Sequence, residues 1–217
     1  HVPTASPRHG RALPVYHESG GRAVHDKPMM VGTNTGSEAV WKHIPEGSVG
    51  VEIGVWKGDS SEKFLRRASR LHLVDPWAAE AYEGSDEFGD YEAYLKRYAK
   101  LAGAPTVGAF NRLYDDIYQS VVKRFQGKPV TIHRCTSAEF FEKFNDSVDW
   151  VYIDGSHSHE GCLDDLRNAL KITEHFIFGD DYGNKPGVTA AVEQFISEEN
   201  LEVEFLGGNQ YKIMVKK

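Results

Sequence analysis

Short apolar segments alternate with helical patterns along most of this chain. Five segments of four to six residues end at an acidic residue, a glycine or a polar turn, and they occupy residues 49–54, 71–74, 130–133, 149–154 and 175–180. This length is typical of buried parallel strands, and the stretches between several of them place apolar residues at helical spacing. The alternation predicts an α/β domain with a doubly wound, mostly parallel sheet, whose ligands bind at the carboxyl ends of the strands.

Two further strand-like segments close the sequence. Residues 201–206 and 211–215 flank Gly207-Gly208-Asn209, which is typical of the tight turn of an antiparallel hairpin. A length of 217 residues with 40% hydrophobic side chains fits one domain, which we place at residues 36–217. Residues 1–35 are predicted to form an N-terminal arm, because prolines are frequent there and large apolar residues are few.

Residues 78–129 separate the second and third predicted strands by far more than one crossover needs. The second half carries a helical stripe of apolar residues, which predicts the crossover helix: Leu113, Ile117, Val121 and Phe125. The first half, around residues 78–110, is rich in aromatic and acidic side chains. We predict that it forms a cap over the site, which together with the N-terminal arm shapes the pocket of the substrate.

Charge and cysteine content narrow the class of protein. There are 25 lysines and arginines against 32 aspartates and glutamates, a net charge of −7, which argues against nucleic acid or an anionic membrane as partner. The chain has two cysteines, Cys135 and Cys162, which are too few for a disulfide framework and do not have the spacing of zinc ligands. We therefore expect a protein of the reducing cytoplasm. No apolar run approaches the roughly 20 residues of a membrane helix. The sequence leaves a homo-oligomer possible.

The turn after the first predicted strand contains Glu52, Gly54 and Gly58. Glycines let a ligand approach the backbone closely, and the acidic residue would repel a diphosphate but suit an ammonium or sulfonium group. We therefore predict that these three residues bind a ligand, although glycines also end many strands for conformational reasons alone. Asp59 and Glu62 have the spacing of a capping box, which predicts a helix beginning there.

Asp75 ends the second predicted strand, where an acidic side chain can accept both hydrogen bonds of a ribose diol. Trp77, two residues further, is predicted to cover the face of an adenine. The alternatives are a helix-capping aspartate and a tryptophan of the hydrophobic core.

Three aspartates follow the fourth and fifth predicted strands: Asp154, Asp180 and Asp181. Neighbouring strands lie about 4.8 Å apart, so these carboxylates would meet at one rim and repel one another unless a cation held them. Oxygen ligands of this kind suit Mg²⁺ or another hard divalent cation. As the alternative, the adjacent aspartates only cap the following helix.

His157 follows Asp154 by three residues and is predicted to face the same rim. An imidazole that titrates near neutral pH could act as general base. It could instead contact the cofactor or order the loop. We therefore assign His157 and Asp154 as the catalytic candidates and also place Asp154 among the cofactor-binding residues.

Four motifs, at residues 51–58, 74–77, 152–161 and 179–183, make the chain from Gly36 onward resemble a known family. It resembles the class I S-adenosylmethionine-dependent methyltransferases, and within them the metal-dependent O-methyltransferases related to macrocin O-methyltransferase and the cephalosporin-biosynthesis enzymes. The last two motifs are much more specific than the first two.

The resemblance implies a Rossmann-like methyltransferase sheet. It also implies a role for each of several residues of the site. The glycine turn would contact the methionine part of the cofactor, Asp75 the ribose, and Thr136 and Ser137 would lie near the adenine. The family's metal ligands fall on the three aspartates already named. Catechol-type relatives carry a lysine base where this sequence has His157, which leaves the identity of the base open.

We therefore expect an O-methyltransferase that uses S-adenosylmethionine and Mg²⁺ or a similar cation. Because a cation prefers two vicinal oxygens, the expected acceptor is a small molecule with a vicinal diol, on a sugar of a glycosylated natural product or on a catechol. Two alternatives remain. One is an NAD(P)-dependent oxidoreductase on the same sheet, against which the missing third glycine and the aspartate pair count. The other is a cofactor-binding scaffold without turnover.

Overall fold

The computed structural model describes residues 37–82 and 91–215, so the predicted N-terminal arm and part of the predicted cap lie outside them. In these described residues, seven strands form one sheet in the order β3-β2-β1-β4-β5-β7-β6. They are β1 Val49–Ile53, β2 Arg70–Val74, β3 Val130–His133, β4 Val148–Ile153, β5 Thr173–Gly179, β6 Val203–Gly207 and β7 Gln210–Met214. Strands β1 to β5 are parallel and β7 is antiparallel to both neighbours, which confirms the predicted sheet and hairpin.

Within the described ranges, six α-helices connect the strands: α1 Asp59–Phe64, α2 Tyr91–Ala102, α3 Val107–Phe125, α4 Ser137–Lys143, α5 His159–Ile172 and α6 Pro186–Glu198. Two 3₁₀ turns, Trp41–His43 and Ala79–Tyr82, precede β1 and α2. The helical stripe predicted between the second and third strands lies on α3, where Ile117, Val121 and Phe125 are buried. Within the part of the chain that the structure describes, no helix is long and apolar enough to span a membrane.

The sheet separates two hydrophobic cores, because successive side chains of a strand point to opposite faces. On β4, Trp150 and Tyr152 pack into the first core with α1 and α3. Val151 and Ile153 pack into the second core with α5 and α6. Both faces of the parallel sheet are therefore covered, as its apolar strands predict.

The start of α1 differs from the capping box that the sequence predicts. The N-cap is Gly58, in the left-handed conformation with φ 79°, and no side chain caps the helix. Asp59 instead accepts a hydrogen bond from Arg124 at 2.6 Å, and Glu62 pairs with Lys128 at 3.3 Å. Both acidic side chains thus connect α1 to basic residues at and just after the end of α3, and neither of them caps the helix.

Candidate functional site

A cavity of about 680 Å³ opens at the carboxyl ends of β1, β2 and β4. This is the crevice where doubly wound sheets bind ligands, and the volume is typical of small-molecule sites. Seven of the residues predicted from the sequence line it together: Gly54, Asp75, Thr136, Ser137, Asp154, His157 and Asp181. Four others, Glu52, Gly58, Trp77 and Asp180, are not among its lining residues.

Gly54 brings the turn after β1 against the turn after β4. Its φ is 84°, and a Cβ at this position would lie 2.0 Å from the carbonyl oxygen of Asp154. The backbone N–H of Asp154 donates to the carbonyl of Ile53 at 2.8 Å. Only glycine fits here, because any side chain would push the two turns apart.

Glu52 and Gly58 do not line the cavity and have structural roles here, and their contact with a ligand stays a prediction. Glu52 is buried on the α1 side of the sheet, where its carboxylate accepts a hydrogen bond from the Ser61 hydroxyl at 2.5 Å. Burial raises the pKa of Glu52 well above its usual value. Gly58 caps α1, and a Cβ there would lie 2.6 Å from the Phe125 ring.

Asp75 joins the turn after β2 to the turn after β1. One carboxylate oxygen accepts the backbone N–H groups of Val55 and Trp56, each at 3.0 Å, and the other accepts that of Trp77 at 2.8 Å. Burial raises the pKa of Asp75, and these hydrogen bonds partly offset the rise. Asp75 therefore both lines the cavity and holds its floor together.

Trp77 is a core residue, which corrects its predicted contact with an adenine face. Its side chain is fully buried, and its indole N–H donates to the carbonyl of Trp56 at 2.9 Å. Its ring packs against Tyr118 with a centroid distance of 5.3 Å. A ring enclosed in this way presents no free face to a ligand.

Thr136 and Ser137 begin α4 at the edge of the cavity. Thr136 caps the helix and forms a capping box with Glu139. The Ser137 hydroxyl donates to Asp165, a carboxylate of α5 that is 4% exposed. Burial raises the pKa of Asp165 to about 7.

Replacing Asp165 with Asn should change how stability depends on pH. Between about pH 4 and pH 7 the folded wild type keeps the Asp165 proton that the unfolded chain loses, so this residue destabilises the fold progressively as the pH rises. The free energy of unfolding of the wild type minus that of Asp165→Asn should therefore fall by a few kcal/mol from pH 4.5 to pH 7.5. Urea denaturation at both pH values measures this difference, and a constant difference would contradict the assignment.

Asp154, His157 and Asp181 form a compact cluster on the other side of the cavity. Nε2 of His157 lies 3.1 Å from a carboxylate oxygen of Asp181 and 3.7 Å from one of Asp154. One ligand atom from each residue lies within 4.8 Å of the others. Burial raises the pKa of Asp154 to about 6. The hydrogen bond with His157 lowers this pKa in part, and the nearby carboxylates of Asp180 and Asp181 raise it further.

Asp180 is held by hydrogen bonds outside this cluster, and its place among the metal ligands stays a prediction. One carboxylate oxygen accepts the backbone N–H of Asp181 at 2.7 Å. The other accepts the hydroxyl of Tyr152 and the amide of Gln210, both at 3.3 Å. Asp181 has a left-handed backbone, φ 64°, and its side chain pairs with His157. Among the described residues, the group of possible ligand atoms therefore contains His157 beside Asp154 and Asp181.

No motif or spacing predicted a functional role for Trp56 or for the individual aromatic residues of the cap. Trp56 lines the cavity together with residues of α2 and α3: Tyr94, Tyr98, Leu101, Phe110, Leu113 and Tyr114. The position of Trp56 directly after the glycine turn was the available signal. Nothing in the spacing of the cap shows which of its side chains turn inward.

Comparison with known proteins gives one family and a set of shared folds. Residues 51–182 match the family model described as a methyltransferase domain. No curated protein sequence matches the chain.

Solved structures with a similar fold include the O-methyltransferase NovP, at 18% identity and a TM-score of 0.52, covering 83% of this chain and 76% of that one. They also include precorrin 8w decarboxylase from Methanobacterium thermoautotrophicum, at 11% identity and a TM-score of 0.50, covering 79% of this chain and 82% of that one. At these identities the likeness shows the fold alone.

Proposed function

The chain belongs to the methyltransferase domain family and is an S-adenosylmethionine-dependent methyltransferase, and from that premise we propose that it methylates a hydroxyl group of a small acceptor with the help of a divalent cation. The observation that carries the proposal is the single cavity that joins Gly54, Asp75 and Ser137 on one side to the cluster of Asp154, His157 and Asp181 on the other.

The first of these two groups suits the cofactor. At Gly54 the backbone is open to the methionine part, and Asp75 has further acceptor capacity for the ribose beyond its three backbone hydrogen bonds. Thr136 and Ser137 border the place for the adenine. S-adenosylmethionine supplies the electrophilic methyl group, so the remaining task of the site is to activate the acceptor oxygen.

The second group suits the acceptor hydroxyl. Without a bound cation, a carboxylate oxygen of Asp154 would take the hydroxyl proton, because a pKa raised to about 6 makes it a usable base near neutral pH. With a cation held at the cluster, Asp154 would be one of its ligands, and the positive charge would lower the pKa of the acceptor hydroxyl instead. His157 would orient the carboxylates of Asp154 and Asp181, since its Nε2 atom lies 3.7 Å from the first and 3.1 Å from the second. The freed oxygen would then attack the methyl group, with catalysis arising mainly from the alignment of the two reactants.

The same cluster fits a divalent cation. Two carboxylates and one imidazole nitrogen, with ligand atoms within 4.8 Å of one another, form an adequate donor set. A cation held by Asp154, His157 and Asp181 would supply positive charge beside the reacting oxygen. Because one donor is nitrogen, we expect Mn²⁺ or Zn²⁺ to bind as well as Mg²⁺ does or better.

A vicinal diol, on a sugar or a catechol, remains the acceptor that this arrangement favours, since two adjacent oxygens can share a cation. NovP, an O-methyltransferase with the same fold, supports oxygen as the atom that is methylated.

Asp75→Ala should weaken the binding of S-adenosylhomocysteine by about 1.5–3 kcal/mol, because the ribose loses a charged acceptor and the turn at Trp56 loses its anchor. Titration calorimetry measures the affinity. Asp115→Ala, which removes an exposed carboxylate that pairs with Arg134 outside the cavity, is the control and should leave the affinity unchanged. Equal affinities for Asp75→Ala and wild type would make Asp75 a structural residue only.

The proposal itself is tested by ligand binding. Calorimetry should show binding of S-adenosylhomocysteine and none of NADH, and the electron paramagnetic resonance signal of Mn²⁺ should report binding that Asp181→Asn weakens. Methyl transfer that persists in EDTA but is lost in His157→Ala would remove the cation from the account and make His157 the base.

A further inference from the structure

Helix α6 begins directly against the loop that carries His157. Gly187 is the second residue of this helix, and a Cβ there would lie 2.4 Å from the carbonyl oxygen of His157 and 2.9 Å from the backbone nitrogen of His159. Both are backbone atoms, which cannot rotate away as the end of a flexible side chain can. The start of α6 and the His157 loop are therefore in contact, at a distance that only glycine permits.

This close approach, and not the backbone conformation, accounts for the glycine. Gly187 has no positive φ, and alanine is the better helix former. Gly108, the second residue of α3, offers a comparison, because the atom nearest to its Cβ position belongs to the Arg112 guanidinium, at 3.7 Å. The second residue of α3 thus has room for a side chain, and the second residue of α6 has none.

The connection from β5 to α6 also holds Asp181. The amide of Asn184 donates to one carboxylate oxygen of Asp181 at 2.7 Å, and the other oxygen lies 3.1 Å from Nε2 of His157. The backbone N–H groups of Asn184 and Lys185 both donate to the Asp181 carbonyl, at 3.1 and 3.0 Å. We call residues 181–187 the connecting segment. It contacts His157 at both of its ends.

The first turn of α6 fixes the connecting segment from behind. The Thr189 hydroxyl donates to the carbonyl of Lys185 at 3.0 Å and accepts the backbone N–H of Gly183 at 2.9 Å. Val188 is 3% exposed and packs into the second core with α5. The connecting segment is therefore anchored to the core immediately beside the cluster.

We propose that the connecting segment positions the contact between His157 and Asp181. Asn184 orients the carboxylate, and Gly187 holds the backbone of the loop. Both are positioning residues, since neither lines the cavity. The inference rests on the proposed function and deepens it, because a cation needs its three ligand atoms at set distances. Removing a group that orients metal ligands usually lowers metal affinity by roughly 10- to 100-fold.

Asn184→Ala should weaken Mn²⁺ binding about tenfold, because the Asp181 carboxylate loses the donor that orients it. The electron paramagnetic resonance signal of free Mn²⁺ measures the affinity. Asn184→Gln keeps an amide donor and should recover most of the loss. In protein that already carries Asp181→Asn, adding Asn184→Ala should change the affinity less than about twofold, because the carboxylate through which Asn184 acts is gone.

Asn145→Ala is the matched control for Asn184→Ala. Asn145 is an exposed asparagine whose amide donates to the carbonyl of Lys143 at 3.1 Å, away from the cavity. Its replacement should leave Mn²⁺ affinity unchanged. All four single variants should bind S-adenosylhomocysteine as the wild type does: Asn184→Ala, Asn145→Ala, Gly187→Ala and Gly108→Ala.

Gly187→Ala tests the other end of the connecting segment. The added Cβ must separate α6 from the His157 loop, so Mn²⁺ binding should weaken about tenfold. Amide hydrogen exchange of residues 156–159, followed by mass spectrometry in metal-free protein, should become about tenfold faster. Gly108→Ala is the matched control, because its Cβ meets no close atom, and it should change neither quantity.

Three results would overturn the inference: wild-type Mn²⁺ affinity in both Asn184→Ala and Gly187→Ala, the same loss from Asn184→Ala with and without Asp181→Asn, or a loss of S-adenosylhomocysteine binding in Asn184→Ala equal to the loss of Mn²⁺ binding. Failure of the proposed function is seen separately, as wild-type protein that binds no Mn²⁺. The exchange rates in metal-free protein then decide the inference, and equal rates in Gly187→Ala and Gly108→Ala would contradict it.

Discussion

Asp154→Asn should lower kcat for methyl transfer by about 10²- to 10⁴-fold, the range usual for a general base. The amide cannot take up the hydroxyl proton, and the cluster with His157 and Asp181 loses one of its two negative charges. The affinity for S-adenosylhomocysteine should change little, because the cofactor contacts that we propose lie mainly at Gly54 and Asp75. Single-turnover kinetics with methyl-labelled S-adenosylmethionine measures the chemical step directly.

Asp164→Asn is the matched control for this variant. Asp164 is an exposed carboxylate of α5 outside the cavity, so its neutralisation should leave kcat unchanged. An Asp154→Asn enzyme that turns over at the wild-type rate would exclude Asp154 as proton acceptor. An equal loss in both variants would indicate a general effect of charge.

Gly54→Ala should abolish cofactor binding and destabilise the fold. The added Cβ would lie 2.0 Å from the Asp154 carbonyl oxygen, and φ is 84°. The left-handed backbone costs about 1–2 kcal/mol for alanine, and overpacking against a fixed backbone adds about 1–3 kcal/mol. Thermal or urea denaturation and calorimetry with S-adenosylhomocysteine give the two readouts.

Gly103→Ala separates the two causes. Gly103 has φ 83°, almost the same as Gly54, but no atom lies within 4 Å of the position of its Cβ. This variant should lose only the conformational part, about 1–2 kcal/mol, and bind the cofactor normally. Equal destabilisation of the two variants would mean that the contact between the turns of β1 and β4 does not depend on Gly54.

The sheet could be predicted from the sequence because each strand is specified by residues that are adjacent in the chain. Each strand is a short apolar run, and its carboxyl end carries the polar residue that reaches the site. For that reason Gly54, Asp75, Asp154 and Asp181 could be placed at one rim before any coordinates were known, and the structure brings them together there.

The grouping of His157 with Asp154 and Asp181, while hydrogen bonds hold Asp180, could not be predicted in the same way. It depends on Gln210 of β7, whose amide donates to Asp180 and whose oxygen accepts the backbone N–H groups of Ala39 and Val40, each at 3.1 Å. Counted from Gln210, Asp180 lies 30 positions away in the sequence and Val40 lies 170 positions away. Only the closed sheet brings Gln210 between them.

The two tryptophans near the cavity show the same limit. Spacing suggested Trp77 as the ligand-facing ring, but the structure buries it and exposes Trp56. The outcome depends on a left-handed backbone at Trp56 that hydrogen bonds from Trp56 to Asp75 and from Trp77 to Trp56 stabilise jointly, and no helix or strand periodicity encodes such a turn.

The central claim is that this cavity transfers a methyl group from S-adenosylmethionine to oxygen with a cation at Asp154, His157 and Asp181. The most direct measurement is the transfer of the labelled methyl group to catechol and to phenyl glucoside, before and after EDTA treatment and after addition of Mg²⁺ or Mn²⁺. We expect an O-methylated product whose formation stops after EDTA treatment and resumes when Mg²⁺ or Mn²⁺ is added. Binding of S-adenosylhomocysteine without any O-methylated product under all three conditions would contradict it.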